Sequence, residues 1–158
     1  MLRTGLGMAA VTFVCDRFTK WLVLDVWNLS DRNYEVAPFF NIVTVWNTGV
    51  SFGMFQSQSS AMPYLLSGLA LAIVLALFVW LKRSENMFIA VSLGLIIGGA
   101  IGNTFDRLTF GAVFDFLDFH VLGYHWPAFN LADSAIVVGV LALLYDGLVR
   151  SQPDDAEI

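Results

Sequence analysis

Met62-Pro-Tyr-Leu-Leu-Ser-Gly-Leu-Ala-Leu-Ala-Ile-Val-Leu-Ala-Leu-Phe-Val-Trp-Leu81 carries no charge and is closed sharply by Lys82 and Arg83. About 20 helical residues cross the roughly 30 Å hydrocarbon core of a bilayer. The stretch therefore reads as a transmembrane helix. Working outward, residues 86–105 form a second charge-free run, closed by Asp106 and Arg107. Two further runs are long enough to cross but less clean. Residues 4–24 contain Asp16, Arg17 and Lys20; residues 129–149 contain Asp133 near one end and Asp146 near the other.

The composition agrees. Of 158 residues, 58% are hydrophobic and 13% charged, against about 45–50% and about 25% in soluble domains. That balance excludes a disordered chain, a nucleic-acid partner and an ordinary water-soluble enzyme. Aromatic residues reach 15%, as suits a chain that meets membrane interfaces. The net charge of -5 says little, because Asp154, Asp155 and Glu157 sit in the tail beyond Arg150. Cys15 is the single cysteine, so no internal disulfide forms. Arg3, the apolar residues 6–14 and Cys15 invite a reading as a lipoprotein signal peptide. Val14 stands where a small residue is wanted and Asp16 follows at once, so an uncleaved first helix is expected.

The expected fold is an all-α integral membrane protein: a four-transmembrane-helix bundle forming a single membrane-embedded domain. Its spans lie at about 4–24, 62–81, 86–105 and 129–149, with a small extracytoplasmic β-sheet and an amphipathic outer segment. Orientation follows the basic residues in short loops. Arg3, Lys82, Arg83 and Arg150 share one side, against Arg32 and Arg107 on the other. Both termini are then cytoplasmic, and residues 25–61 and 106–128 face out. Within the first of these segments, Ile42-Val-Thr-Val-Trp46 is rich in strand formers and Asn47-Thr-Gly49 is a turn signal. A small sheet around residues 41–55 is expected there. Residues 113–126 carry Phe114, Phe116, Phe119, Tyr124 and Trp126, which reads as an amphipathic, interfacial stretch.

An ionisable residue inside a span costs at least about 2.5–3.5 kcal/mol and needs a partner or a task. Asp16 and Lys20 stand at i and i+4, so they share a helix face as a pair. A salt bridge facing the bundle is the structural reading; positioning of a substrate is the functional one. Gly94, Gly98 and Gly102 form a row that lets another helix approach closely. Homodimerisation is one use of that row, and packing inside the bundle is the favoured one.

The informative cluster lies where the third span emerges. Asn103, Asp106, Arg107, Asp115, Asp118, Asn130 and Asp133 all fall near one outer surface, because the fourth span re-enters from the side where the third leaves. Converging carboxylates can bind a metal, relay protons or ions, or act as an acid/base pair on water. His120 and His125 are at hand, but their spacing matches no familiar ligand pattern. A transport path needs polar residues at several depths, whereas these acids gather at one end. An acid/base pair needs only two Asp sharing a proton. Asp106 has Arg107 beside it to neutralise it. Asp115 lies between Phe114 and Phe116, and Asp133 between Ala132 and Ser134. The argument favours Asp115 and Asp133 as the pair, with transport subunit and non-enzymatic assembly factor as the other classes.

Five stretches occur in a familiar order: Asp16-Arg-Phe-Thr-Lys20, Asn47-Thr-Gly-Val-Ser-Phe52, Gly98-Gly-Ala-Ile-Gly-Asn-Thr-Phe-Asp-Arg107, Val113-Phe-Asp-Phe116 and Phe129-Asn-Leu-Ala-Asp133. Together they resemble the bacterial lipoprotein signal peptidases (signal peptidase II). The resemblance implies a membrane aspartic endopeptidase of the inner membrane, with its site near the periplasmic face. Such enzymes remove the signal peptide from diacylglyceryl-modified prolipoproteins, cleaving before the lipidated cysteine. By position it implies Asp115 and Asp133 as catalytic. Asp16, Lys20, Asn47, Gly49, Asn103, Asp106, Arg107, Asn130 and Ala132 match positions that support the site or bind substrate. It implies no metal and no cofactor, prolipoproteins and membrane lipids as partners, and activity as a monomer. Val50 and Ser51 depart from the two alanines often seen there, which bears on groove shape rather than chemistry. Residues 50–62, rich in Ser and Gln, are expected to move to admit substrate.

Overall fold

The computed structural model describes residues 1–29, 33–49 and 61–150. Helix α1 (Leu2–Trp21) runs on through a wider π turn, Leu22–Val26. Strands β1 (Tyr34–Ala37) and β2 (Phe40–Asn47) follow, then helices α2 (Met62–Arg83) and α3 (Met87–Phe110). Strands β3 (Val113–Val121) and β4 (Tyr124–His125) lead into α4 (Leu131–Tyr145), which is prolonged by a π turn, Asp146–Arg150. Among the described residues, three helical stretches are long and apolar enough to cross a membrane: Met62–Arg83, Met87–Phe110 and Leu131–Val149. Helix α1 is as long as a span but carries four charges, Arg3, Asp16, Arg17 and Lys20.

The bundle is organised around α3, which packs against α1, α2 and α4. Its glycines set the spacing. A Cβ on Gly98 would lie 2.5 Å from the carbonyl oxygen of Ala9, and one on Gly102 would lie 2.8 Å from Oδ2 of Asp16. Gly99 abuts the backbone of Ala132 in the same way. The glycine face is thus filled by α1 and α4 of the same chain. Helix α2 is the opposite case. It is apolar all round, only Ser67 and Leu81 are buried, and Leu65 is 67% exposed. An exposed apolar helix of this length belongs against lipid.

Helix α3 ends later than its charges suggest. Asp106 and Arg107 do not close it; the helix continues to Phe110 and stops at Gly111, whose φ of 76° few other residues adopt readily. The Gly111 N–H returns to the carbonyl of Arg107. Charge fails as a stop signal here because Asp106 is fully buried among partners rather than set in water.

The strands form one antiparallel sheet in the order β1-β2-β3-β4, at the end of the bundle where α3 leaves and α4 begins. Val45 pairs with Asp115 and Asn47 with Val113, and a bulge separates Ile42 from Val45. Residues 113–126, expected as an amphipathic, interfacial stretch, contain strands β3 and β4, buried at the start and exposed at Phe119, Tyr124 and Trp126. From Val113 to Phe116 every residue of β3 is buried. Interior strand is tolerated because its polar groups have partners: Phe116 N–H and Leu117 N–H both donate to Phe129 O. The sheet expected around 41–55 is present as β2 up to Asn47, and β1 is an addition to it. Residues 50–60, including the segment expected to move, lie outside the described residues.

Candidate active site

Asn130 is the N-cap of α4, and its position explains much of the site. Its Oδ1 accepts from Asp133 N–H at 3.0 Å, while its own N–H donates to Asp133 Oδ2 at 3.2 Å. This reciprocal box ties up free N–H groups at a helix start and holds the third residue's carboxylate over the N-terminus. The Asn130 side-chain amide points the other way. Nδ2 donates to Asp115 Oδ1 at 2.7 Å and to Asn103 Oδ1 at 3.1 Å. Asn103 Nδ2 in turn donates to Asp133 Oδ1 at 2.7 Å. Asp115 Oδ2 accepts from Asn47 Nδ2 at 3.1 Å. Two carboxylates from a strand and a helix are therefore held by three asparagines, each from a different element or cap.

Among the described residues, every direct hydrogen-bond donor to Asp115 and Asp133 is an uncharged amide. Burial first, and then the negative charge of Asp133, push the Asp115 carboxyl up to about 7, against the pull of Asn47, Asn130 and the more distant Lys20. A carboxyl of that strength is divided between its protonated and ionised forms at neutral pH, which is the condition for acid/base work on water.

A second carboxylate cluster lies alongside, between α1 and α3. Lys20 Nζ reaches Asp106 Oδ2 at 2.7 Å and Asp16 Oδ2 at 3.0 Å. Arg17 Nη2 lies 2.6 Å from Asp106 Oδ1 and 3.1 Å from Asp16 Oδ2. The structural reading of Asp16 and Lys20 as an inward salt bridge holds, with Asp106 added to it. Asp106 is paired directly with Lys20 and Arg17 of α1, whereas its sequence neighbour Arg107 acts on it only at longer range. On a helix, adjacent residues point about 100° apart, whereas packing brings α1 directly onto α3.

This cluster is wired to the first. Asp16 Oδ1 accepts from Ala132 N–H at 3.1 Å, at the start of α4. Asp106 Oδ2 accepts from Phe114 N–H at 3.2 Å, one residue before Asp115. Lys20 also donates to Asn103 at 3.4 Å. Ala132 thus serves through its backbone, and its small side chain lets α3 come close. Arg107 reaches Gly49 O at 3.4 Å and lies within electrostatic range of Asp133 and Asp115. Gly49 N–H closes a turn on Asn47 Oδ1 at 3.0 Å, which orients the Asn47 amide toward Asp115.

Asp118, grouped with the other acids from sequence, stands apart. It accepts from Asn41 Nδ2 and from His125 Nδ1, each at 2.9 Å. Arg17 is the contributor that sequence reasoning passed over, noted only as a charge in the first span. Its i+1 relation to Asp16 gave no hint that it reaches α3.

Three cavities meet at the carboxylate pair. One of about 320 Å³ lies between α2, α3 and α4, lined by Ala70, Ile73, Ala100 and Val137 with Arg107 and Asp133 at its polar end. One of about 400 Å³ flanks α4 from Trp126 and Pro127 past Asp133 to Val138. The third, about 510 Å³, lies on the sheet and is lined by Asn47, Asp115, Asp118 and His125. Asp133 faces the first two and Asp115 the third.

The family model described as signal peptidase (SPase) II matches residues 8–149. The lipoprotein signal peptidase of Nitrobacter hamburgensis is 44% identical over 155 residues, spanning 95% of this chain and 94% of the relative. That of Methylorubrum extorquens is 43% identical over 147 residues, spanning 92% and 86%. Among solved structures, a bacterial membrane enzyme determined by the in meso method at 2.3 Å resolution superposes with a TM-score of 0.78 at 29% identity, covering 98% of this chain and 94% of that one. A second such structure, at 1.9 Å, gives 0.77 at 30% identity. A multi-pass membrane protein with buried carboxylates at one end of its bundle, matched along nearly its whole length, belongs to the signal peptidase II family.

Proposed function

We propose that this chain is an aspartic endopeptidase of the inner membrane, cleaving diacylglyceryl-modified prolipoproteins before the lipidated cysteine, with Asp115 and Asp133 as the catalytic pair. The observation that carries the reading is the Asn130 bridge: one residue binds both carboxyl groups, and the hydrogen-bond donors around the pair are neutral amides.

In this mechanism the two aspartates share one proton. Asp133, whose negative charge helps to raise the Asp115 carboxyl, is assigned as the partner that takes a proton from water. The water oxygen attacks the scissile carbonyl carbon. Asp115 holds its proton near neutrality and gives it to the carbonyl oxygen as the tetrahedral species forms. Collapse of that species breaks the C–N bond: the amine of the new N-terminal cysteine takes up the proton that Asp133 accepted, and one hydroxyl of the tetrahedral carbon returns its proton to Asp115, which leaves a carboxylic acid product and restores the pair. Water, pair and leaving amine account for every atom without a cofactor.

The proposed topology has α1 as a fourth span, both termini cytoplasmic and the sheet on the periplasmic side. In that frame the helix-lined cavities take apolar portions of a substrate that stays in the bilayer, and the sheet-lined cavity takes polypeptide leaving it. One folded domain acting as a monomer suffices. The test is cleavage in detergent of a prolipoprotein with and without its diacylglyceryl group, by the parent and by Asp115→Asn and Asp133→Asn. The expected result is cleavage of the lipidated form by the parent alone. Full activity in either variant would remove that aspartate from the mechanism. Absence of cleavage by the parent would return the acids to a transport or assembly role.

A further inference from the structure

We propose that Asp118, with Asn41 and His125, forms a charge-selective subsite that reads the mature polypeptide two or three residues beyond the lipidated cysteine. The inference rests on Asp115 and Asp133 as the point of cleavage. The sheet-lined cavity of about 510 Å³ has Asp115 in one part of its wall and Asp118 with His125 in another. Val43, Val45 and Asn47, alternate residues of β2, also line it, and Pro127 and Ala128 lie across from them on the link into α4.

Distance sets which residue is read. Asp115 and Asp118 are three positions apart on one strand, so about 10 Å separates them at roughly 3.3 Å per residue. An extended substrate advances at the same rate. With its scissile bond at the pair, its second or third residue past the cysteine comes level with Asp118.

Chemistry sets what is read. Asp118 is a carboxylate only 6% exposed. Burial opposes its charge, but the hydrogen bonds from His125 and Asn41 outweigh that and hold its carboxyl below the ordinary carboxylate range. It is therefore an anion whose oxygens are fixed by Asn41 and His125. Asp118 and His125 both line the cavity, so this wall presents a carboxylate held in place by its neighbours. A lysine or arginine side chain is accepted there, and an aspartate or glutamate is disfavoured.

Two lipidated peptides that differ only at these two positions, one with lysines and one with glutamates, test the idea at neutral pH. The expected kcat/KM favours the lysine peptide by roughly three- to fivefold, the range of a partly screened charge contact. Asp118→Asn brings that ratio to one. So does His125→Arg, which sets a fixed cation beside the carboxylate. Because the readout is a ratio within one enzyme, loss of folded protein cancels. The same charge change placed in the signal peptide leaves the Asp118→Asn ratio unaltered from the parent. Equal cleavage of both peptides by the parent, or an unchanged ratio in Asp118→Asn and His125→Arg, overturns the subsite alone. Cleavage of neither peptide by the parent overturns the subsite together with the reading of the pair.

Discussion

Two groups of buried carboxylates lie side by side in this molecule, and they are solvated in opposite ways. Asp16 and Asp106 are bonded directly to Lys20 and Arg17, so two anions face two cations. Asp115 and Asp133 are bonded to Asn47, Asn103 and Asn130, which offer dipoles but no charge. The first group ties α1 to α3 through direct ion pairs. In the second, burial and the charge of Asp133 raise the Asp115 carboxyl to about 7. In the proposed function, what separates scaffold from chemistry is the charge of the donors rather than the depth of burial.

The largest effect should come from removing the shared proton. Asp115→Asn or Asp133→Asn should lower the cleavage rate at least about 10³-fold, while the melting temperature in detergent stays level or rises, because a like-charged neighbour has gone. A large fall in melting temperature would mean that these carboxylates are scaffold too. Breaking the other group should do the reverse. Lys20→Met leaves Asp16 and Asp106 short of a cation and should destabilise by about 3–5 kcal/mol, read as a lowered unfolding midpoint. Adding Asp106→Leu should recover part of that loss, as coupled neighbours do.

Asn130 belongs to both descriptions, which sharpens the comparison. Asn130→Ala removes a helix cap worth about 1 kcal/mol and the side-chain contacts to Asp115 and Asn103, while the backbone N–H still reaches Asp133. Activity should fall on the order of 10²-fold with only a modest drop in midpoint. Replacement by Asp keeps the cap but brings a third carboxylate to the pair, so stability should return and activity should not.

The pH dependence probes the same pair without a substitution. Asp115 has a folded-state pKa raised to about 7 from an ordinary value near 3.9. Its contribution to stability is complete below about pH 4 and is lost as the pH rises through 7. The parent's melting temperature should therefore decline between pH 5 and pH 8, and Asp115→Asn should flatten that slope. Over the same range kcat/KM should fall as the acid loses its proton.

Much of the frame was readable in advance, because lipid imposes a simple rule of length and charge. Residues 62–81 and 86–105 could only be helices, and the small residues Gly98 and Gly102 announced close packing. The stretch 113–126 was read as interfacial, and Phe119, Tyr124 and Trp126 are exposed, whereas residues 113–116 are buried strand; aromatic residues serve equally in both places. The backbone hydrogen bonds exchanged with Phe129, and the one that Phe114 N–H donates to Asp106, distinguish the two. The partner of Asp106 was misjudged for a related reason: sequence shows Arg107 next to it, while Arg17 and Lys20 arrive from a distant helix. The gathering of Asp115 and Asp133 at one end followed from topology. Their meeting at Asn130 did not, since a cap's second role is visible only once the strand has been laid against it.

The bonds from α1 to the rest of the site also impose an order in time. Lys20 meets Asp106 across 86 residues of chain, and Asp16 meets Ala132 across 116. At about 5–20 residues per second, a ribosome takes roughly 4–17 s to supply the first of these partners. Until then, α1 holds Asp16 and Lys20 against each other and Arg17 against Asp16 alone. The first helix made is thus the last to be settled, and the two aspartates emerge into a scaffold that closes only when the start of α4 reaches Asp16. A nascent chain stopped short of α4 carries no finished site, which keeps an unfinished hydrolase inert in its own membrane.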